Sequence, residues 1–287
     1  MKSLWINPVL NKEIKLRFRS FKSFLGVFFY LFALGGIAIG FILLNTVFSY
    51  SSTAIFRPEQ SRTMFMVLSF VQLALVLFMT PGLTSGVISG ERERQTLNIL
   101  LTTPQSSTSI ILSKLFSSIA YLLLMMVASL PLYSIVFLFG GVSPSLLFTT
   151  FGLYLVTMLT VGSIGVFFST IIRKTIVATI ITYGITLFFT IGTGFLTIIS
   201  MQFIGFQNAN QTSVFPYITS MFNPFIILFN SFEEGLTNEI SNITGIEFSL
   251  TAAFIIAFLL ISFICLYFSI KKLRPNMKVK SELPKDE

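Results

Sequence analysis

Five stretches of the chain carry no charged side chain: Ser23–Phe56, Thr63–Gly90, Leu115–Ile172, Thr175–Phe232 and Phe248–Ile270. Each exceeds the roughly 18 apolar residues that mark a helix able to cross a bilayer. A soluble domain is about 25% charged because its surface requires it. This 287-residue chain is 10% charged and 54% hydrophobic, with a mean hydropathy of +0.86. The stretches specify an all-α, polytopic integral membrane protein with a single transmembrane domain.

Two of the runs are long enough to need dividing. Leu115–Ile172 breaks at Gly140-Gly141-Val142-Ser143-Pro144, a turn-forming cluster. In Thr175–Phe232 one span precedes the polar stretch Gln202–Ser213. Six helices result, at about 24–48, 64–89, 115–139, 146–171, 175–199 and 248–270. Seventeen of the nineteen Lys and Arg residues then fall on one side, in the N-terminal segment, the two loops after spans two and four, and the tail at 271–287; Arg57 and Arg62 fall on the other. The positive-inside rule places both termini in the cytoplasm, and the chain in the cytoplasmic (inner or plasma) membrane. The loop at 200–246 bears Glu233, Glu234 and Glu239, with Glu247 at its end and no Lys or Arg, as an extracellular loop should. The apolar run begins too late and runs too long for a cleaved signal peptide.

Composition removes most chemistry. With no histidine, one cysteine (Cys265) and one aspartate (Asp286), the chain can form neither an internal disulfide nor a Cys/His zinc site. A Ser/His triad lacks its imidazole, an intramembrane aspartyl protease lacks its paired aspartates, and no phosphate-binding G-x-x-x-x-G-K-[ST] loop occurs. No metal site or catalytic residue is expected. The net charge of +8 collects beside the apolar segments, where it meets lipid headgroups, so nucleic acid is not an expected partner.

Three segments outside the plain spans carry information. At 7–23, Asn7-Pro8 is a helix start; Leu10, Ile14, Phe18 and Phe21 share one face, opposite Lys12, Lys15, Arg19 and Lys22. Such a helix lies in the headgroup plane, either as a topology anchor alone or as an elbow that also touches a cytoplasmic partner. Gly82, Gly86 and Gly90 recur every four residues and form a bare ridge for close helix packing, and Gly36 and Gly40 share that spacing in span one. After Gly90, the segment 90–103 reads as a short amphipathic cytoplasmic helix. Glu91 and Arg94 can pair at i, i+3; Leu97, Leu100 and Leu101 give it an apolar edge before Pro104. It is either a lever that docks into a partner or a solvated helix whose charges pair among themselves. In the 200–246 loop, Phe225, Phe229 and Phe232 should pack against the outer ends of the spans, as a gate or as a loop folded back on the bundle.

The run Ile88-Ser89-Gly90-Glu91-Arg92-Glu93, followed by Gln95-Thr96-Leu97, Leu100-Leu101-Thr102-Thr103-Pro104 and Lys114, resembles the coupling-helix signature of ABC-type-2 transporter permeases. Asn7-Pro8-Val9-Leu10 with Lys12-Glu13 resembles the elbow helix of that family. Asn223-Pro224-Phe225 with Phe232 and Gly235 resembles its outer re-entrant segment. The chain departs from the pattern at Gln95, where glycine is usual, and at Asn98, where glutamate is usual. The resemblance implies a transmembrane subunit that pairs with a second permease, identical or homologous. Separate cytoplasmic ABC ATPase subunits would contact Glu91, Arg92, Glu93, Arg94, Gln95, Thr96, Leu97, Leu100 and Leu101. This chain would hold no cofactor; ATP and Mg would be bound by the ATPase. Export, rather than import, rests on the resemblance alone.

Ion-driven carriers place titratable groups inside their spans. Here Gln72 is the clearest strongly polar side chain near a span's middle, and it does not titrate. The path suits an apolar or amphipathic cargo such as a peptide or a lipid-like molecule. The alternatives from other classes are a membrane scaffold or immunity subunit that does not transport, and an ATP-independent channel or secondary carrier.

Overall fold

The computed structural model describes residues 19–48, 58–97, 105–138, 140–206, 213–233 and 235–273. Among these residues the regular elements are helices, with no strand. In chain order they are α1 (Phe21–Phe48), α2 (Pro58–Thr84), α3 (Ser89–Glu93), α4 (Ser107–Ala128), α5 (Leu130–Leu138) and α6 (Pro144–Ile171). There follow α7 (Thr175–Leu187), α8 (Thr193–Phe206), α9 (Phe215–Met221), α10 (Pro224–Phe232), α11 (Gly235–Thr244) and α12 (Leu250–Leu273). A five-residue π-turn, Phe188–Gly192, joins α7 to α8.

Six units are long and apolar enough to cross a membrane: α1, α2, α4 with α5, α6, α7 with α8, and α12. Helix α6 is the centre of the bundle, packed against α12 and α2. Its apolar window is 61% buried, against 17% for α1, which lies at the periphery. The break between α5 and α6 is made by Gly140 and Gly141, at φ +78° and +85°. A side chain at Gly141 would strike the Pro58 carbonyl, so this turn sits directly on the start of α2. Ser143 caps α6, accepting from the Leu146 N–H at 3.3 Å, and Pro144 occupies the first turn, where no amide partner is needed. Ser106 caps α4 in the same way, accepting from Ser109 at 3.2 Å.

Two expected boundaries differ. The elbow was expected to run to residue 23, yet α1 already begins at Phe21. The Ser23 and Phe24 amides both turn back to the Ser20 carbonyl, which starts the long helix there. The 200–246 segment, expected as an extracellular loop with a re-entrant segment, starts inside α8, which runs to Phe206, and contains α9, α10 and α11; among the elements they pack against are α8, α6 and α12. Its apolar residues explain this: Ile227, Leu228, Phe232 and Ile240 are buried in the main core.

Candidate functional site

The chain after α2 does not leave the bundle. Ser169, fully buried near the end of α6, accepts both the Ile88 and the Ser89 amides on its hydroxyl, each at 2.9 Å. These contacts satisfy amides at the start of a five-residue helix that has no side-chain cap of its own. The Gly82, Gly86 and Gly90 ridge faces α7. A Cβ at Gly82 would lie 3.1 Å from the Tyr183 hydroxyl, and one at Gly86 would lie 3.0 Å from Thr175. Between them the Ser85 and Thr179 hydroxyls meet at 2.7 Å, and Tyr183 donates to the Phe78 carbonyl at 2.8 Å. A closer approach than any on the ridge involves a glycine that the sequence reading did not single out: a methyl on Gly165 would collide with Thr84.

The charged turn grips the connection between α6 and α7 from both sides. Arg92 donates to the Thr170 carbonyl at 3.0 Å and to the Ile172 carbonyl at 3.4 Å, at the C-terminal end of α6. Glu93 accepts the Thr175 backbone N–H and the Thr175 hydroxyl, both at 2.7 Å, at the N-terminal end of α7. Helix α7 has no cap from its own preceding residue Lys174, so Glu93 supplies one from across the fold. A cation at a helix C-terminus and an anion at an N-terminus both complement the helix dipoles.

Glu91 pairs with Lys114 at 3.0 Å rather than with Arg94, the partner expected three residues on. Lys114 is 4% exposed, so its charge is far from water, whereas Arg94 is exposed and already solvated. Thr96 also donates to the Glu91 carboxylate. Gln95 is the one non-glycine residue at positive φ (+59°) among those described. It therefore stands where the family pattern's glycine would be unstrained. Arg94, Gln95 and Thr96 form an exposed rim and Leu97 tucks into a small core with Ile88, Ile110 and Ile111. Asn98, Leu100 and Leu101 lie outside the described residues.

Both carboxyls are held below the ordinary value of 4.5. For Glu93 the cause is the Thr175 hydroxyl, then its amide. For Glu91 partial burial pushes the pKa up, but hydrogen bonds from Thr96 and Lys114 and the Lys114 charge outweigh it.

At the far end of α7 the backbone opens into the π-turn. Within it the Thr190 carbonyl accepts the Thr193 backbone N–H and also the Asn223 side-chain amide, the latter at 2.6 Å. The other end of the same side chain caps α10, accepting from Phe225 at 2.9 Å and Ile226 at 3.2 Å. Asn223 is 2% exposed, and a Cβ on Gly194 would lie 2.9 Å from its amide nitrogen. Pro224 is buried behind it, Phe225 and Phe229 pack on Phe70 with ring centroids 6.0 and 6.5 Å apart, and Phe232 packs on Phe65 at 5.6 Å. An apolar groove of about 500 Å³ runs between Phe70, Ile191, Phe195, Ile198 and Phe225.

One pattern escaped the sequence reading although it was there to be found. Thr175, Thr179, Thr182, Thr186, Thr190, Thr193 and Thr197 follow a 4-3-4-4-3-4 spacing, one face of a helix from the Glu93 contact to the Asn223 contact. Each from Thr179 onward returns its hydroxyl to the carbonyl four residues earlier, which lets polar side chains sit in an apolar helix.

Of the remaining expected residues, Leu10, Lys12, Ile14, Lys15 and Phe18 lie outside the described residues. Arg19 is exposed in a turn, Phe21 is exposed at the start of α1, and Lys22 is in the same first turn. Gly36 and Gly40 have no described residue within 4 Å of an added Cβ, unlike Gly82, Gly86 and Gly90.

No curated protein matches the chain. The model of the ABC-2 family transporter proteins matches residues 9–272, which takes in every element described above. That family supplies the membrane subunits of transporters powered by ABC ATPase subunits, and the chain belongs to it as a multi-pass permease.

Proposed function

We propose that the chain is the permease half of an ABC exporter that moves an apolar or amphipathic molecule, a peptide or a lipid-like compound, out across the cytoplasmic membrane. Both termini and the Glu91–Leu97 segment face the cytoplasm. There a separate ATPase, which binds ATP and Mg, contacts the exposed rim at Arg94, Gln95 and Thr96 together with Leu100 and Leu101. A second permease, identical or homologous, completes the translocation path, and the N-terminal segment lies on the lipid surface.

The observation that carries this reading is the double grip of Arg92 and Glu93 on the α6–α7 turn. A load applied to the Arg94–Thr96 rim passes through Glu93 into α7, along the threonine face, and through the Thr190 carbonyl into Asn223 and α10. Span five is thereby a rod with a handle at one end and the outer gate residues Asn223, Pro224, Phe225, Phe229 and Phe232 at the other. Packed side chains and hydrogen bonds transmit such motion only if the elements move as units. The apolar groove beside α10 favours cargo that needs no charged partner.

The test is co-purification followed by flux. In mild detergent, ABC ATPase subunits should remain with the wild-type chain and be lost from Arg94→Glu. Inverted vesicles holding both subunits should take up a hydrophobic peptide or a labelled lipid only with ATP. Binding undisturbed by Arg94→Glu would contradict the rim assignment, and uptake without nucleotide would contradict the energy source.

A further inference from the structure

The most polar place in the apolar core is a cluster on four spans near the break in span three. Tyr30 from α1, Ser69 and Gln72 from α2, and Tyr133 from α5 are all buried, at 3%, 0%, 0% and 1% exposure. The Tyr30 and Tyr133 hydroxyls, the Ser69 hydroxyl and the Gln72 amide nitrogen have no hydrogen-bond partner among the described residues. Thr150, one turn before Tyr154 on α6, has an unpartnered hydroxyl too. The groups are neighbours: Ser129 donates to the Gln72 side-chain oxygen at 3.2 Å, and Tyr154 donates to the Ser69 carbonyl at 2.8 Å. The Tyr133 hydroxyl faces those of Tyr154 and Ser69, and the Tyr30 hydroxyl faces that of Ser129, none of these facing pairs in the geometry of a formed hydrogen bond. Ser129 is itself the residue at which α4 ends and α5 begins, two residues before Pro131.

A dry core would not tolerate this concentration. Each buried polar atom left without a partner forfeits its full desolvation cost, and several in one place would rival the stability of an ordinary domain. Such groups are normally satisfied by buried water held at two to four polar contacts.

A supply route lies above. At the Arg62 end, the ends of α2, α6, α10 and α12 enclose an open polar basin of about 860 Å³ whose lining includes Arg62, Ser145, Thr149, Ser231 and Ser249. Phe232 lines that basin and packs on Phe65, which packs edge-on against Tyr133 at 5.4 Å. Ring contacts thus run without a break from the basin to Tyr133.

We propose that Tyr30, Ser69, Gln72 and Tyr133 form a binding site for a small cluster of ordered water inside a single permease subunit, filled from the Arg62-end basin past Phe65 and Phe232. The water completes the hydrogen bonds that the protein leaves open and makes the Ser129 break in span three a wet hinge, able to exchange partners as the helix bends. The site is separate from the coupling turn and does not depend on the proposed cargo or on export.

Radiolytic hydroxyl labelling of the full-length chain in lipid nanodiscs reads it directly, because bound water labels its neighbours even when they are buried. Tyr30 and Tyr133 should be labelled several-fold faster than Phe254 and Phe258, which are equally buried but have no such polar neighbours. In Phe65→Trp, with the aromatic layer thickened, labelling of Tyr30 and Tyr133 should fall. Labelling of the tyrosines no faster than of the phenylalanines would overturn the proposal. Thermal unfolding of Tyr133→Phe gives an independent sign: a hydrated hydroxyl predicts a lower midpoint, and a higher midpoint, from removing a dry unpaired group, would also overturn it.

Discussion

Glu93 holds Thr175 by two bonds of 2.7 Å, one from the backbone amide and one from the hydroxyl, across 82 residues of sequence. The carboxylate closes the first turn of a helix that cannot cap itself. The contact ties the turn after span two to the first turn of span five, and several measurable consequences follow from its chemistry.

Removing half of the grip separates its two bonds. Thr175→Val keeps the amide and loses the hydroxyl, and should reduce transport per ATP hydrolysed only partly. Glu93→Ala loses both and should reduce transport to background with ATP turnover and membrane insertion retained. Parallel flux and phosphate-release assays on the same vesicles distinguish the two.

The grip also has a pH signature. The Glu93 pKa is lowered in the fold by its Thr175 hydrogen bonds. Its contribution is therefore complete above the ordinary carboxylate value and is lost as pH falls through the lower folded value. The wild-type unfolding midpoint should decline on acidification below about pH 4.5, more steeply than that of Glu93→Gln, in which the declining component from this group is gone. Equal slopes would remove Glu93 from the account.

Lys114 and Glu91 make a stringent pair because Lys114 is almost fully buried. Glu91→Gln removes the carboxylate beside that ammonium and should destabilise the fold, by less than the roughly 3–5 kcal/mol of a fully buried pair because Glu91 is 31% exposed. Adding Lys114→Met should restore most of it, since an apolar side chain of similar size needs no partner. Denaturation of the single and double variants gives the coupling between them.

Gln95 offers the opposite sign. Its φ of +59° strains any residue with a Cβ, so Gln95→Gly should stabilise the fold by about 0.5–1 kcal/mol after the greater chain entropy of glycine is set against the relief. At the other end of span five, Asn223→Ala removes a cap worth about 1 kcal/mol. It also removes the second bond to the Thr190 carbonyl, worth about a further 1 kcal/mol. Thermal unfolding measures both.

The six-span body was readable because charge-free runs report lipid contact directly and need no knowledge of neighbours. Local spacing carried the glycine ridge on α2 equally well. What the ridge meets was not readable: Thr175, Thr179 and Tyr183 lie on another span, and only the tertiary fold brings them opposite Gly82 and Gly86. The same limit explains Glu91. Three residues along a helix is the nearest pairing a sequence offers, but the buried lysine 23 residues away has the greater need. The threonine face of span five was open to inspection in its spacing, and was hidden because threonine reads as ordinary filling in an apolar helix. Gly36 and Gly40 have the same spacing, with none of the described residues close enough to meet an added Cβ.

The unity of the coupling turn and span five is tested most directly by locking them together. With Cys265→Ala removing the native thiol, Glu93→Cys and Thr175→Cys can be oxidised to a disulfide in vesicles containing the ATPase. If the two segments move as one body, the reduced double variant, which lacks the Glu93 carboxylate, transports near background and oxidation restores ATP-driven transport. If they must part during the cycle, the locked protein is inactive and recovers on reduction, and the account of span five as the driven rod is wrong.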